Sequence, residues 1–345
     1  VKAFQAATLT ELHSGLCDQL VLSPAEKLDM VTSVDVQIHN VIAQAARMDW
    51  DFDLKDMWLT KQRWSMMCRQ YLDPVALIEW LNRSAQLIGP GGRGISMLRT
   101  NTVKPRGGTR HGNKETRRWG SCMLAVSYKA MPQQQITLYS RTSYLGYLGA
   151  MDLTVAWMCG RYLAEIMQQN VEDWRFVWMN EATQYHHFKS LAFLLNHKDK
   201  KKKKMYRRLL MKPDDELEAE DKELINSAPA LMYSRRWLQK VIAEDAKGRT
   251  LGDINYNTYR RIVRRFHTEV MGYEYAQQFA GWNYWKQGPN VGKEREFYKA
   301  YEPLPSWPAQ ELDFTPLGLP SLDRLGVVDY DTAAALKEED DDDDE

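Results

Sequence analysis

A chain of 345 residues with 44% hydrophobic residues, 12 Trp and 17 Tyr can bury one large core or two modest ones. Basic and acidic residues balance at 46 each, so no global charge favours nucleic acid or a membrane surface. Cys17, Cys68, Cys122 and Cys159 are too sparse for a disulfide scaffold and lack metal-ligand spacing. The opening residues show no signal-peptide pattern, and no run approaches the ~18 apolar residues of a membrane span. The expectation is a folded protein of a reducing, cytoplasmic compartment, without membrane or metal.

Leu9, Leu12, Leu16 and Leu20 recur at helical spacing within residues 6–22. SVDVQIHNVI (33–42) alternates as a strand does, whereas IAQAARMDW (42–50) fits strand or helix. Residues 57–87 are helical in pattern, with Pro74 at a helix start. GPGG (89–92) is a loop, ISML (95–98) a short strand, and 102–118 a polar, basic, glycine-rich surface loop. SCMLAVSY (121–128) and QQITLYSR (134–141) predict a hairpin turning at Met131 and Pro132. A helix apolar almost all round follows over 150–168, then a strand at WRFVWM (174–179).

KDKKKKKMYRR (198–208) and PDDELEAEDKE (213–223) predict a solvated block, either a charged helical excursion or a disordered insert. Residues 229–300 are helical in pattern and rich in aromatics, and Pro303–Pro320 predicts an extended surface wrap. Eight adjacent acids, Glu338–Glu345, predict disorder. The division expected is a core over 1–197, a charged insertion or linker over 198–223, a mostly helical region over 224–320, and an acidic tail over 321–345.

Cys122 is the candidate nucleophile, against the commoner role of a cysteine as a small buried hydrophobe. Arg117, Arg118 and Arg141 would lower its pKa if they faced it. Arg141 with Thr142 and Ser143 offers a guanidinium and hydroxyls suited to a phosphate, with Arg93 and Arg99 as further cations. Asp152 opens the apolar helix, where residue type alone favours an N-cap.

The segment from Cys122 to about Met167 resembles the core of thymidylate synthases and the related pyrimidine-nucleotide hydroxymethylases of phages. In that family the catalytic cysteine precedes a strand pair, a Gln-Arg-Ser binds phosphate, and a turn leads into a buried helix where an Asn pairs with the base. On this resemblance Cys122 matches the nucleophile, Arg141 and Thr142 the phosphate-binding pair, and Asp152 the base-reading Asn. GGRGISMLRTN (91–101) resembles the strand whose arginine crosses a dimer interface, which puts Arg93 in that role. TQYHHF (183–188) resembles the segment holding the sugar hydroxyl, which implies Gln184 and His186. Departures are Met123 for the family's His, Tyr144 for its Asp, and Ala150-Met151 for its Pro-Phe. Glu79 is a candidate for the catalytic glutamate, although one alignment puts Gln70 there.

The resemblance implies a thymidylate synthase-like α+β fold, with a mixed sheet packed by helices and a homodimer. It further implies a pyrimidine deoxynucleoside monophosphate as substrate and 5,10-methylenetetrahydrofolate as one-carbon donor. A carboxylate at 152 accepts from the N4 amino group of cytosine, whereas Asn suits uracil, so dCMP hydroxymethylation is the preferred expectation. A thymidylate synthase-like enzyme acting on dUMP is the first alternative. The second is an inactive scaffold that binds nucleic acid through 102–118, the Lys198–Arg208 run and RRIVRRF (260–266).

Overall fold

The computed structural model describes residues 2–22, 35–54, 61–87, 94–100, 122–145, 149–186, 194, 197–228, 230–232, 234–236, 239 and 306–325. These form an α+β structure around a six-stranded mixed sheet of order β1-β2-β6-β5-β4-β3. The strands are β1 (Lys2–Thr8), β2 (Asp35–Arg47), β3 (Ile95–Arg99), β4 (Met123–Lys129), β5 (Gln135–Tyr144) and β6 (Arg175–His186). The described helices are α1 (Leu9–Val21), α2 (Lys61–Tyr71), α3 (Pro74–Ala85), α4 (Ala150–Ile166), α5 (Lys200–Met211) and α6 (Ala219–Ser227).

Helix α1 starts at Leu9 rather than residue 6 because Thr8 caps it. The Thr8 hydroxyl accepts from the Glu11 amide, and Glu11 accepts in return from the Thr8 amide. Residues 2–8 instead pair parallel with β2, a strand too rich in Ala and polar residues to announce itself. The ambiguous 42–50 stretch continues β2 as far as Arg47. Asp73 caps α3 with Pro74 in its first turn, as the sequence predicts.

β4 and β5 form the expected antiparallel hairpin. β5 and β6 run parallel, joined by α4 as the crossover that parallel pairing requires. Ala43, Trp178, Leu138, Val126 and Leu98 follow one another across five strands and are buried on the helix-covered face. Helix α4 is apolar all round because it is covered on every side. It packs on β4 and β5, against α2 and α3, and beneath the 306–325 segment. Gly160 allows its close approach, since a Cβ there would lie 3.1 Å from Ile136 and 3.2 Å from Val171.

The charged block is not a free excursion. Residues 200–211 form α5, capped by Asp199, and bury Tyr206, Leu209 and Leu210. Burial of each leucine contributes on the order of 1.5–3 kcal/mol. Asp18 of α1, nearly buried, accepts from Lys202 and Tyr206 and stands 3.5 Å from His197. Burial by itself would raise the Asp18 pKa, but these partners hold it below the usual carboxylate value. Lysines that read as a solvated run therefore include the residue that docks the helix.

Residues 306–325 form a strap of three short 3-10 turns, so this part of the region expected to be mostly helical carries no α-helix. It does wrap as the prolines predict, but it is no mere surface coil. Ala309, Leu312, Phe314, Leu317 and Leu319 are buried. Its backbone is tied to Phe52, Leu54, Trp64 and Tyr162. No described helix is long and apolar enough to cross a membrane. The loop at 102–118, most of 229–300 and residues 326–345 lie outside the described residues, whereas 321–325, expected as the start of the acidic tail, belong to the strap.

Candidate active site

The central strands change phase together at one level of the sheet. β5 buries Leu138 and Ser140, then Ser143 and Leu145. β6 buries Trp178 and Asn180, then Thr183 and Tyr185. β2 buries Ile38, then Val41. Asn40 takes a left-handed conformation (φ 54°) at this level, and β4 shifts register between Met123 and Ala125. An odd step reverses which side chains face the helices. Without it Arg141 and Ser143, two residues apart, would share a face. With it Arg141 is exposed while Ser143 turns inward.

The Ser143 hydroxyl donates to the Asp152 carboxylate at 2.9 Å. Ser143 thus orients the acid rather than offering a hydroxyl to phosphate. Asp152 is not the N-cap either. Gly149 occupies that position, and Asp152 sits in the first turn of α4, fully buried. A carboxylate there is favoured by the helix N-terminus.

Cys122 immediately precedes β4 rather than lying within it, and its carbonyl accepts from the Arg141 amide at 2.8 Å. This continues the Met123–Ser140 register by one rung, so Cys122 and Arg141 stand opposite each other. Of the four cysteines Cys122 alone is partly exposed. Burial pushes the thiols of Cys17, Cys68 and Cys159 up, which leaves them protonated and unreactive. Thr142 is half-buried beside Arg141.

Gln184 pairs with Tyr144 across the same end of the sheet and is buried. Its Oε1 has no hydrogen-bond partner among the described residues, an unmet acceptor that suits a ligand hydroxyl. Glu79 is not brought to this cluster. It is exposed on α3, while Leu77, Ile78, Trp80 and Leu81 line the buried side. Arg93 lies outside the described residues, as do the side chains of His186 and Gln70.

One residue was missed by sequence reasoning. His13 is buried on α1, with Nε2 2.8 Å from the Leu145 carbonyl at the end of β5. Its place four residues after Leu9, on the apolar face, was the available signal. Cys122, Arg141, Thr142 and Gln184 thus stand toward one end of β4, β5 and β6, with Arg141 exposed, while Asp152 lies buried with Ser143 on the helix-covered side. No family model and no curated protein matches the chain.

Proposed function

We propose that the chain is a pyrimidine deoxynucleotide C5 hydroxymethyltransferase, acting on dCMP in preference to dUMP. The observation that carries this reading is the pairing of Cys122, the one accessible thiol, with Arg141 on the opposite rung. Both stand at the open end of the β4–β5 hairpin, and two residues past Arg141 the Ser143 hydroxyl meets a buried carboxylate.

Carbon 5 of a pyrimidine is a poor nucleophile. Addition of the Cys122 thiolate to carbon 6 forms a C–S bond and moves the C5–C6 π electrons onto carbon 5. Loss of the carbon 5 proton after a new bond forms there expels the same sulfur and restores the ring. Arg141 and Thr142 hold the phosphate and so fix the ring over the sulfur. The unmet Gln184 acceptor takes the sugar hydroxyl. Methylenetetrahydrofolate, the donor that the resemblance implies, supplies a carbon at the oxidation level of formaldehyde. The described residues do not build its site, because the position three past Arg141, an acid in the family, is Tyr144. No step is assigned through it.

Asp152 is closed to solvent in the free chain, so its meeting a base requires a local rearrangement around the start of α4. As an acceptor it fits the cytosine amino group, and Ser143 fixes its orientation. Asp152→Asn is expected to reverse the preference between dCMP and dUMP by about 10-fold or more, since an amide both donates and accepts. Trapping with 5-fluoro-dCMP and 5-fluoro-dUMP checks this. Equal trapping of both nucleotides by the wild-type chain would remove the specificity argument.

A homodimer is part of the proposal. The sheet face away from the helices carries exposed Ile95, Met97 and Met179. Met179 continues through Tyr139 and Ala125 to Arg99 on successive strands. Met179→Asp is expected to convert a dimer to a monomer in sedimentation analysis. A wild-type monomer at high protein concentration would refute this part.

A second reading has one observation in its favour. Lys200, Lys201, Lys204 and Arg207 are exposed along α5 without a carboxylate partner among the described residues, a basic face that suits phosphates. Salt-sensitive retention of an oligonucleotide, with no tritium exchange from carbon 5, would favour a nucleic-acid-binding scaffold instead.

A further inference from the structure

We propose a second ligand site, built from elements that contribute nothing to the candidate active site: a small cavity beside α6 that takes a phosphate monoester of a small organic group. The cavity has a volume of about 260 Å³, just under the ~300–1,000 Å³ of sites for drug-sized ligands, so its occupant is small. Two faces at helical spacing form its walls. Lys222, Ile225 and Asn226 follow one another at i, i+3 and i+4 along α6. Met232, Arg235, Arg236 and Gln239 repeat that spacing on the helical residues 230–232, 234–236 and 239. Leu217 and Asp214, from the connection between α5 and α6, complete the lining.

Charge selects the occupant. Arg235 is buried, and its guanidinium donates to the carbonyls of Leu209 and Lys212 and to the Asp214 carboxylate. Those three bonds fix a cation in the wall. Its acid partner is 84% exposed, so solvent screens the acid more than the buried cation. The neighbouring Asp221 and Glu218 are engaged by Arg208, at 2.7 and 3.8 Å. Lys222 and Arg236 are exposed and meet no carboxylate among the described residues. Three cations against one acid leave the lining with an excess of two positive charges. A phosphate monoester carries about −1.5 to −2 at neutral pH and matches that excess, whereas a single carboxylate leaves half of it unmet. Lys222 supplies a point charge and Arg236 a planar fork for the phosphate oxygens. Leu217, Ile225 and Met232 take the apolar part of the ester, and the Asn226 and Gln239 amides meet its polar substituents.

The test is calorimetric titration of the full chain with phenyl phosphate, and with benzoate as a singly charged comparison. Phenyl phosphate is expected to bind about 10-fold tighter than benzoate, and equal affinity overturns the match of charge. Lys222→Gln and Arg236→Gln, both at exposed positions, are each expected to weaken phenyl phosphate about 10-fold while thermal stability holds. Unchanged affinity in both variants overturns the proposal. Lys201→Gln, an equally exposed cation on α5 outside the cavity, is expected to leave binding as it is. A loss there as large as in Lys222→Gln means diffuse attraction to a basic surface, and the cavity is then no site. Since the proposed function also gives Arg141 a phosphate, every titration is repeated in Arg141→Gln. Binding that survives this substitution belongs to the cavity, whereas binding that it abolishes belongs to the sheet end and overturns the inference while leaving the proposed function standing.

Discussion

Cys122→Ser is expected to abolish the covalent adduct with 5-fluoro-dCMP and to lower tritium release from carbon 5 by about 10³-fold or more. Serine keeps the shape of the side chain but not its chemistry, because a hydroxyl ionises far less readily than a thiol and is a weaker nucleophile toward a ring carbon. No other cysteine can take over. Cys17, Cys68 and Cys159 are buried, and that burial holds each in its thiol form. Alanine at any of these three should leave adduct formation unchanged in whatever fraction remains folded. Peptide mapping of the trapped protein reads the result directly. An adduct that persists in Cys122→Ser, or that maps to another cysteine, removes the thiolate from the mechanism.

The second large effect is on stability. His13 has a folded-state pKa of about 4, against an ordinary value of 6.5. Burial is the principal cause; the Leu145 carbonyl and Asp18 oppose it, while His197 and Lys198 add to it. Above 6.5 the imidazole is neutral in both states and imposes no pH dependence. As pH falls from 6.5 toward 4 the unfolded chain gains a proton that the folded chain refuses, so stability declines across that window. The full loss is about 3 kcal/mol. Asp18 acts lower, because its depressed pKa maintains stability until the pH falls beneath the usual carboxylate range. Urea denaturation at about pH 7 and about pH 5 should therefore differ for the wild-type chain and converge for His13→Gln. A wild-type stability that is flat between those values would contradict the buried, neutral imidazole.

Both predictions rest on features that were visible in the sequence to different degrees. The hairpin at Met131–Pro132 was legible because it is local: two alternating runs separated by a turn signal pair with each other at little loop-closure cost. The buried helix at 150–166 was legible because apolar residues occupy its whole circumference. Residues 2–8 were not legible, since an edge strand of alanines and polar residues takes its conformation from β2 rather than from its own pattern. The charged block misled for a related reason. Periodicity identifies the lysines as exposed, but only the fold supplies Asp18, 184 residues before Lys202, as a partner.

At the site, sequence placed Cys122, Arg141 and Asp152 in order and at suggestive spacing, but it could not assign their faces. Alternation in an ideal strand would have put Ser143 alongside Arg141, and a favoured cap would have put Asp152 at the helix end. The phase change shared by β2, β4, β5 and β6 decides otherwise, turning Ser143 in toward Asp152. Glu79 was chosen by residue type alone, and its helix presents that position to solvent.

The amino-acid order of this protein by itself determined the start of α3 at Pro74, its hairpin and its apolar crossover helix. Each of these follows from interactions among residues only a few positions apart. Tertiary structure alone decided which side of β5 each residue faces, which carboxylate docks α5, and that His13 holds the end of β5. Those outcomes depend on groups more than a hundred residues apart, brought together only when the sheet and its helices close on a common core.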